Sequence, residues 1–494
     1  MTEPSRLPAA TPRTGPMSPA YRVVTVALVL LTTMIAFEAM AVSTAMPRAA
    51  AELDAIGGYG LAFSSMMTAM LLGIVAAGIW ADRAGPLPAL YAGQTLFAIG
   101  TLGCALAPSW GVLIGGRVVT GVGAGLVIVS EFVAIGRVFP APLRPQVFTW
   151  LSAAWVIPSV VGAPVSGWLT TVASWRWVFG IVVVPAVVAG ALVFLRRADI
   201  GVPPPADETA DELDVADHRR TARLGSVVAL SAGLVQLAIH ERQAGSEAAG
   251  ALSSLGVVAA LAIVGVIGLL WATPRLLPAG TLVARRGLPS VIASRALFNG
   301  SFMATVTFLP LMLVQRWNLG LTMAGAVLAT GSVGWSLGSW LQGRVRSDGL
   351  ARRVHLVWGG AAVLTAGTLA VIAAVLTQAS PWVFAACIAV CGLAMGAGST
   401  TLSVLVLDLT SAQEHGRASA ALQLSDVLGS VVGIGAATAI FASGDHGGRA
   451  VYLAIYTLLA AIAALAVVTG LRCMPSHSPA AAAAASAASA GRTS

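Results

Sequence analysis

Apolar residues in this chain come in long, nearly unbroken runs, too long for a strand or for one face of a soluble helix. Crossing a hydrocarbon core of about 30 Å takes about 20 such residues as helix, because lipid offers no partner to a free backbone group. Runs of that kind fall at residues 23–45, 59–80, 87–107, 111–135, 148–170, 176–195, 223–240, 250–272, 288–314, 321–343, 354–377, 381–407, 417–442 and 449–471. Fourteen transmembrane helices are therefore predicted, the seventh being the shortest.

The polar stretches between the runs divide the chain. An N-terminal cytoplasmic tail (1–22) precedes a six-helix bundle (23–197), and an acidic linker follows (198–222), with Pro203, Pro204 and Pro205, six acids and then Arg219 and Arg220. Two additional transmembrane helices (223–274), a second six-helix bundle (275–473) and a disordered Ala/Ser-rich tail (474–494) complete the expected domains. Short Arg-rich loops stay in the cytoplasm. With the N-terminus inside, Arg83, Arg137, Arg144, Arg196, Arg197, Arg285, Arg286, Arg344, Arg346, Arg352 and Arg353 all face it, against Arg48, Arg176, Arg242, Arg316 and Arg449 outside. Both termini are thus expected in the cytoplasm. The opening stretch to Tyr21 has no apolar core with a cleavage site, so the first helix is read as its own signal.

Composition narrows the function. Of 494 residues 57% are hydrophobic and 10% charged, where a soluble domain has about 25% charged. Every basic residue is Arg, so no nucleotide-binding loop ending in Gly-Lys-Ser/Thr exists in the chain. The net charge of +8 has no clustered basic face to give it a nucleic-acid partner. Four cysteines, Cys104, Cys387 and Cys391 within apolar runs and Cys473 just past the last one, are read as small core residues. No cofactor or metal is expected.

A charge deep in a membrane helix costs at least about 2.5–3.5 kcal/mol on insertion scales, which makes each one a functional candidate. Glu38 in the first helix and Arg117 in the fourth both fall roughly 10 Å below the outer surface, at 1.5 Å per residue. They suit either a proton-responsive pair facing a shared cavity or a static ion pair. Asp426 lies near the middle of the thirteenth helix with Gln423 one turn before it, a polar stripe that either lines water or substrate or fixes helix packing. Glu131 and Asp408 sit near cytoplasmic helix ends, where they are expected to reach water, and Arg295 is expected to snorkel to the interface.

Two patterns imitate enzymes. Gly334-Trp335-Ser336-Leu337-Gly338 fits a nucleophile elbow, but that motif needs a strand-to-helix turn and a His partner, and all six His lie in loops, tails or at membrane edges. Gly121, Gly123 and Gly125 imitate a phosphate-cradling loop without the strand that should precede it. Both read as close helix packing.

The residues Phe37-Glu38-Ala39-Met40 through Pro47, Gly78, Asp82, Arg83 and Gly85, Arg117 with its following glycines, and Gly162, Pro164 and Gly167 resemble motifs of the major facilitator superfamily, specifically its fourteen-helix drug:proton antiporter branch. The similarity runs along almost the whole membrane portion. It implies an all-α polytopic protein of two six-helix bundles with two extra helices between them. It also implies a cytoplasmic gate at Gly78, Asp82, Arg83 and Gly85, although Pro86-Leu87 stands where the family has a basic pair. Arg117 falls in the motif linked to proton coupling, Gly162, Pro164 and Gly167 in the antiporter motif of helix five. Glu38 stands for the usual Asp, and Asp426 where related exporters often carry Arg.

The expected function is proton-coupled export of an amphipathic or hydrophobic small molecule by alternating access, by a monomer in a bacterial inner membrane. Glu38, Arg117 and Asp426 are the expected proton-coupling residues. Phe37, Phe63, Met66, Met67, Trp155 and Gln423 are candidates for the substrate path, and the apolar ones are equally suited to packing. A lipid flippase of the same fold and a non-transporting scaffold or receptor docked through the acidic linker are the alternatives. The partners are small-molecule substrate, protons and the lipid bilayer.

Overall fold

The structure is a computed structural model that describes residues 15–140, 142–200, 212–243, 255–344, 349–410, 415–444 and 447–474. Residues 1–14 and 475–494 of the expected tails and 201–211 of the linker lie outside the described residues. Fourteen long helices are described: α1 (Arg22–Glu52), α2 (Leu61–Ala84), α3 (Pro86–Ala105), α4 (Trp110–Val138), α5 (Arg144–Val172), α6 (Trp175–Leu195), α7 (Glu212–Gln243), α8 (Leu255–Leu276), α9 (Leu288–Trp317), α10 (Leu321–Arg344), α11 (Leu350–Thr377), α12 (Pro381–Asp408), α13 (His415–Ser443) and α14 (Arg449–Leu471).

Twelve of them are long and apolar enough to cross a membrane unaided, α3 and α7 being the other two. In α3, Gln94, Thr95 and Thr101 dilute the apolar surface. The apolar part of α7 is confined to Arg223–Ala238. Its polar beginning corrects an expectation, because residues 212–222 continue the helix where a solvated tether was predicted. Burial varies widely. In the most apolar window of α9, 83% of residues are buried inside the protein, against 11% in α8, so α9 is central while α8 shows most of its surface to lipid.

Glycine sets the distances between helices. On α4, a Cβ at Gly121 or Gly125 would strike the Met66 or Met70 carbonyl of α2, and one at Gly123 would strike the backbone of α3 at Gly93 and Phe97. The glycines that imitate a phosphate loop are therefore a three-helix seam. Gly334 and Gly338 likewise press α10 against the Ala389 and Leu393 carbonyls of α12, and Ser336 between them donates to Ser332 O at 3.0 Å, as an ordinary helical serine does. All four cysteines are free and buried.

Helices α1–α6 and α9–α14 form the two halves. Their polar and backbone-close contacts gather toward the end of the bundle that carries Glu52, Trp175 and Leu321. There the Tyr59 hydroxyl donates to Thr307 O at 2.8 Å, Gly60 abuts Thr438, and Gly167 and Gly325 bring α5 and α10 backbone to backbone. Deeper in, Leu71 of α2 and Val427 and Leu428 of α13 share an apolar cluster with Leu224 and Val228 of α7 and Ala272 of α8. The two extra helices thus cover the seam between the halves along α2 and α13. Gln236 fastens α7 to α2 by donating to Thr68 Oγ1 at 2.7 Å and Ser64 O at 3.3 Å.

Gly123→Ala forces α3 and α4 apart and is expected to destabilise the protein by about 1–3 kcal/mol. Gly115→Ala, on the open side of the same helix with nothing within 4 Å of its Cβ position, is expected to stabilise it by up to about 1 kcal/mol. Thermal unfolding of the two purified variants beside the parent gives both signs.

Candidate transport site

Glu38 is 1% exposed and Arg117 2%, and the two form an ion pair through Oε1 and Nη1. The meeting follows from α1 and α4 lying side by side in the first half. Arg117 also donates through Nε to Ala62 O at 2.8 Å, at the beginning of α2, and its guanidinium stands 5.9 Å from the Phe63 ring centroid. The arginine is held by three kinds of partner. The carboxylate is not: Glu38 Oε2 is buried with no hydrogen-bond partner. Weakening the pair therefore releases Glu38 more than Arg117, which keeps its carbonyl and its ring.

A second pair lies in the other half. Arg295 Nε donates to Asp426 Oδ1 at 2.5 Å and Nη2 to Oδ2 at 2.8 Å, a two-pronged contact that suits a planar guanidinium. Asn299 donates to the same Oδ1, and Arg295 Nη1 reaches Ser399 O at 2.6 Å. The expectation that Arg295 snorkels to the interface is thus corrected, because Asp426 offers a partner one helix away. The side chains are 14% and 23% exposed, and Gln423 nearby on α13 is exposed.

Glu131 requires the opposite correction. Expected to reach water, it is 3% exposed, with Thr32 donating to Oε2 at 3.1 Å and Oε1 without a partner. The α4 helix continues to Val138, which carries Glu131 inward of the end assumed from the apolar run. Asp408 is partly exposed and paired with Arg353. Nothing in the sequence paired Arg295 with Asp426, although charges in two separate apolar runs were the available signal.

The remaining candidates separate by position. Phe63 is 6% and Met66 1% exposed, so both are packed away in this conformation, and Met67 packs beside Leu71. Trp155 instead lines a cavity of about 150 Å³ between the halves, with Met40 of α1, Ser159 of α5, Phe302 of α9, and Trp335 and Ser336 of α10. Phe302 and Trp335 meet edge to face there, their centroids 5.5 Å apart. Phe37 packs at Gly162, and Ser166 ties α5 to α1 by donating to Ala41 O at 2.5 Å. Pro164 lies inside α5, which runs on through it, and Gly167 holds the close approach to Leu321. At the other end Gly85 has φ +80°, which favours glycine between α2 and α3, while Gly78 faces open space. Arg83 is exposed, and Asp82 lies in α2. Among the described residues no group of three or more His, Cys, Asp or Glu could hold a metal.

The sequence model described as the Major Facilitator Superfamily matches residues 28–375. The "Probable multidrug-efflux transporter Rv1634" of Mycobacterium tuberculosis is 25% identical over 432 residues, 83% of this chain and 87% of that protein. The "Multidrug efflux pump SdrM" of Staphylococcus aureus is 29% identical over 168 residues, 34% of this chain and 38% of that protein. The "MFS-type transporter ungB" of Aspergillus violaceofuscus is 31% identical over 173 residues, 33% of this chain and 30% of that protein. The last two matches span about a third of those relatives' length. Among solved structures, a bacterial homolog of the human lysosomal transporter Spinster, inward-facing and unoccupied, gives a TM-score of 0.62 at 16% identity over 94% of this chain and 99% of that one. A D-xylose-proton symporter gives 0.61 at 16% over 92% and 98%. At such identity the likeness is one of fold.

Removing one partner of a buried pair leaves the other charge uncompensated, at a cost of about 3–5 kcal/mol, whereas removing both together costs far less. Arg117→Met is therefore expected to lower the unfolding temperature more than the double variant Glu38→Gln/Arg117→Met. A double-mutant thermal-shift cycle checks this, and strict additivity would show that the pair carries no coupling.

Proposed function

Because this chain belongs to the Major Facilitator Superfamily, a family of multi-pass membrane transporters rather than enzymes, we propose that it exports an amphipathic or hydrophobic small molecule in exchange for protons. The observation that carries the reading is the buried Glu38–Arg117 pair, which joins α4 to α1, the helix that also contributes Met40 to the wall of the cavity between the halves. Kinship with proteins named as multidrug efflux transporters supports the direction of transport.

Protonating Glu38 removes its charge and with it most of the attraction to Arg117. The energy that held α1 against α4 and the beginning of α2 then drops, and the two halves are free to change their mutual tilt. Substrate in the cavity and a proton on Glu38 are thereby linked as alternatives, so that the arrival of one favours the departure of the other. The driving force suffices for a modest gradient: about 2.3 kcal/mol per proton per 100 mV, and about 1.4 kcal/mol per pH unit.

In this reading the Glu52 end faces outward, as the arginine distribution expects, and the conformation is closed there. The apolar aromatic wall of Trp155, Phe302 and Trp335 receives the substrate, with Ser159 and Ser336 as the polar contacts. A cavity of about 150 Å³ is below the roughly 300–1,000 Å³ of drug-sized sites, so a large substrate must widen the gap between α5 and α10. The Arg295–Asp426 pair, open to water on one side, supplies a second charge contact whose state the substrate or a proton alters.

In vesicles with an imposed inward proton gradient, the parent is expected to drive substrate transport that Glu38→Gln loses, by tenfold or more, while substrate binding measured without a gradient persists. If Glu38→Gln and Arg117→Ala both fold and transport at the parent's rate, the coupling assignment fails.

Trp335→Ala is expected to enlarge the cavity and weaken binding of aromatic substrates by about 1–3 kcal/mol, leaving proton uptake unchanged. Binding isotherms with a set of dyes of different size read this out.

A further inference from the structure

Where α9 and α11 end and α14 begins, the described residues leave two guanidinium groups without a carboxylate. Arg316, in the last turn of α9, is exposed and makes no hydrogen bond or ion pair among the described residues. Arg449, the first residue of α14, gives Nη2 to the Leu376 carbonyl, but its Nε is buried and has no acceptor. Both side chains line one pocket of about 320 Å³ together with Trp317, Gln378 and Tyr452, and among the described residues no acid lines it. The contrast with the opposite half is direct: there Arg176 is paired with Glu52 at 2.5 Å and stacks on Trp175.

The pocket also takes in the first turn of a 23-residue helix that has no acidic residue in that turn and no side-chain cap at Gly448. Its free backbone N–H groups add a partial positive charge on the same side as the two arginines. Nearby polar groups do not supply the missing acceptor. The Gln315 amide oxygen already accepts from the Tyr452 hydroxyl at 2.5 Å, and the Trp317 indole N–H is given to Ala379 O at 2.8 Å. The donors that line the pocket suit an anion with several oxygens.

We propose that this pocket binds a phosphate group, held by Arg316 and Arg449 and facing the first turn of α14. A guanidinium offers a fork of donors that matches phosphate oxygens, and helix N-termini are suited to the same anion. About 320 Å³ holds roughly ten water molecules' worth of volume, enough for a phosphate and its ester substituent. The neighbouring Trp317, part-exposed, is of a residue type favoured where membrane meets water, which puts the pocket within reach of a lipid headgroup as well as of dissolved phosphate. Its occupant neutralises the Arg316–Arg449 repulsion and joins α9, α11 and α14 at the sealed end, far from Glu38 and from the cavity between the halves.

The full chain is tested in two arms against Arg316→Gln/Arg449→Gln. In the first arm, protein from nanodiscs of equal phosphatidylglycerol and phosphatidylcholine is examined by native mass spectrometry. The parent is expected to retain phosphatidylglycerol preferentially and the double variant about tenfold less. In the second, inorganic phosphate is titrated against detergent-purified protein at constant ionic strength with chloride, and a rise in unfolding temperature is expected in the parent and not in the variant. A difference in the lipid arm alone identifies a headgroup, one in the phosphate arm alone a free anion. Should the double variant fail to fold, Arg316→Gln, an exposed side chain with no partner to lose, replaces it and must weaken binding in the same arm. Equal retention and equal thermal response in parent and variant overturn the site.

Discussion

A carboxylate and a guanidinium kept out of both water and lipid constrain each other more than any other contact in this protein. Neither Glu38 nor Arg117 is stable alone at that depth, since an isolated charge in an apolar interior costs far more than a lost hydrogen bond. The packing around them follows from this requirement. Phe63 must sit beneath the guanidinium, the α2 backbone must present Ala62 O to it, and α4 must run close enough to α2 and α3 that only glycine fits at 121, 123 and 125. The small residues of α4 and its single buried arginine are one design: the glycines bring the backbones together, and the closeness is what dries the charge pair.

The two halves use charge differently. In the first, the pair is sealed, with both side chains nearly inaccessible. In the second, Arg295 and Asp426 keep a two-pronged contact at 14% and 23% exposure, next to an exposed Gln423. A sealed pair changes state only when helices move, whereas a pair at the waterline can exchange partners with whatever enters.

Fourteen apolar runs became fourteen helices because lipid permits no other backbone solution, so the element count was legible from hydrophobicity alone. Glu38 and Arg117 were legible as a pair because their depths match, whereas Glu131, the other charge in those two runs, lies at the opposite end of its own. Arg295 was misread, since depth along one helix says nothing about which face points at a neighbour: Asp426 lies 131 positions away in sequence. Glu131 was misread for a related reason. The end of an apolar run is not the end of a helix, and α4 continues to Val138, so a residue placed near water lies under α1 beside Thr32. Phe63, Met66 and Trp155 are all apolar candidates in long apolar helices, yet of the three only Trp155 borders the cavity. Rotation about the helix axis decides this, and a uniformly apolar helix carries no periodic signal of its rotation.

The extra helices α7 and α8 follow from the same limits. With its apolar stretch confined to Arg223–Ala238, α7 is a poor independent span and depends on α2, to which Gln236 fastens it, while α8 shows lipid nearly its whole surface. A hairpin attached to one half by hydrogen bonds and meeting the other, among the described residues, through apolar side chains such as Ile292, Val427 and Leu428 does not weld the halves together. Apolar surfaces slide at little loss as long as they stay covered, whereas a buried hydrogen bond must be broken outright. In any tilt of one half against the other, such a hairpin is expected to stay with the first half and slide across α13, so that the α2–α13 seam stays covered. The α5–α10 seam has no such cover, and there Trp155 and Trp335 line the cavity together.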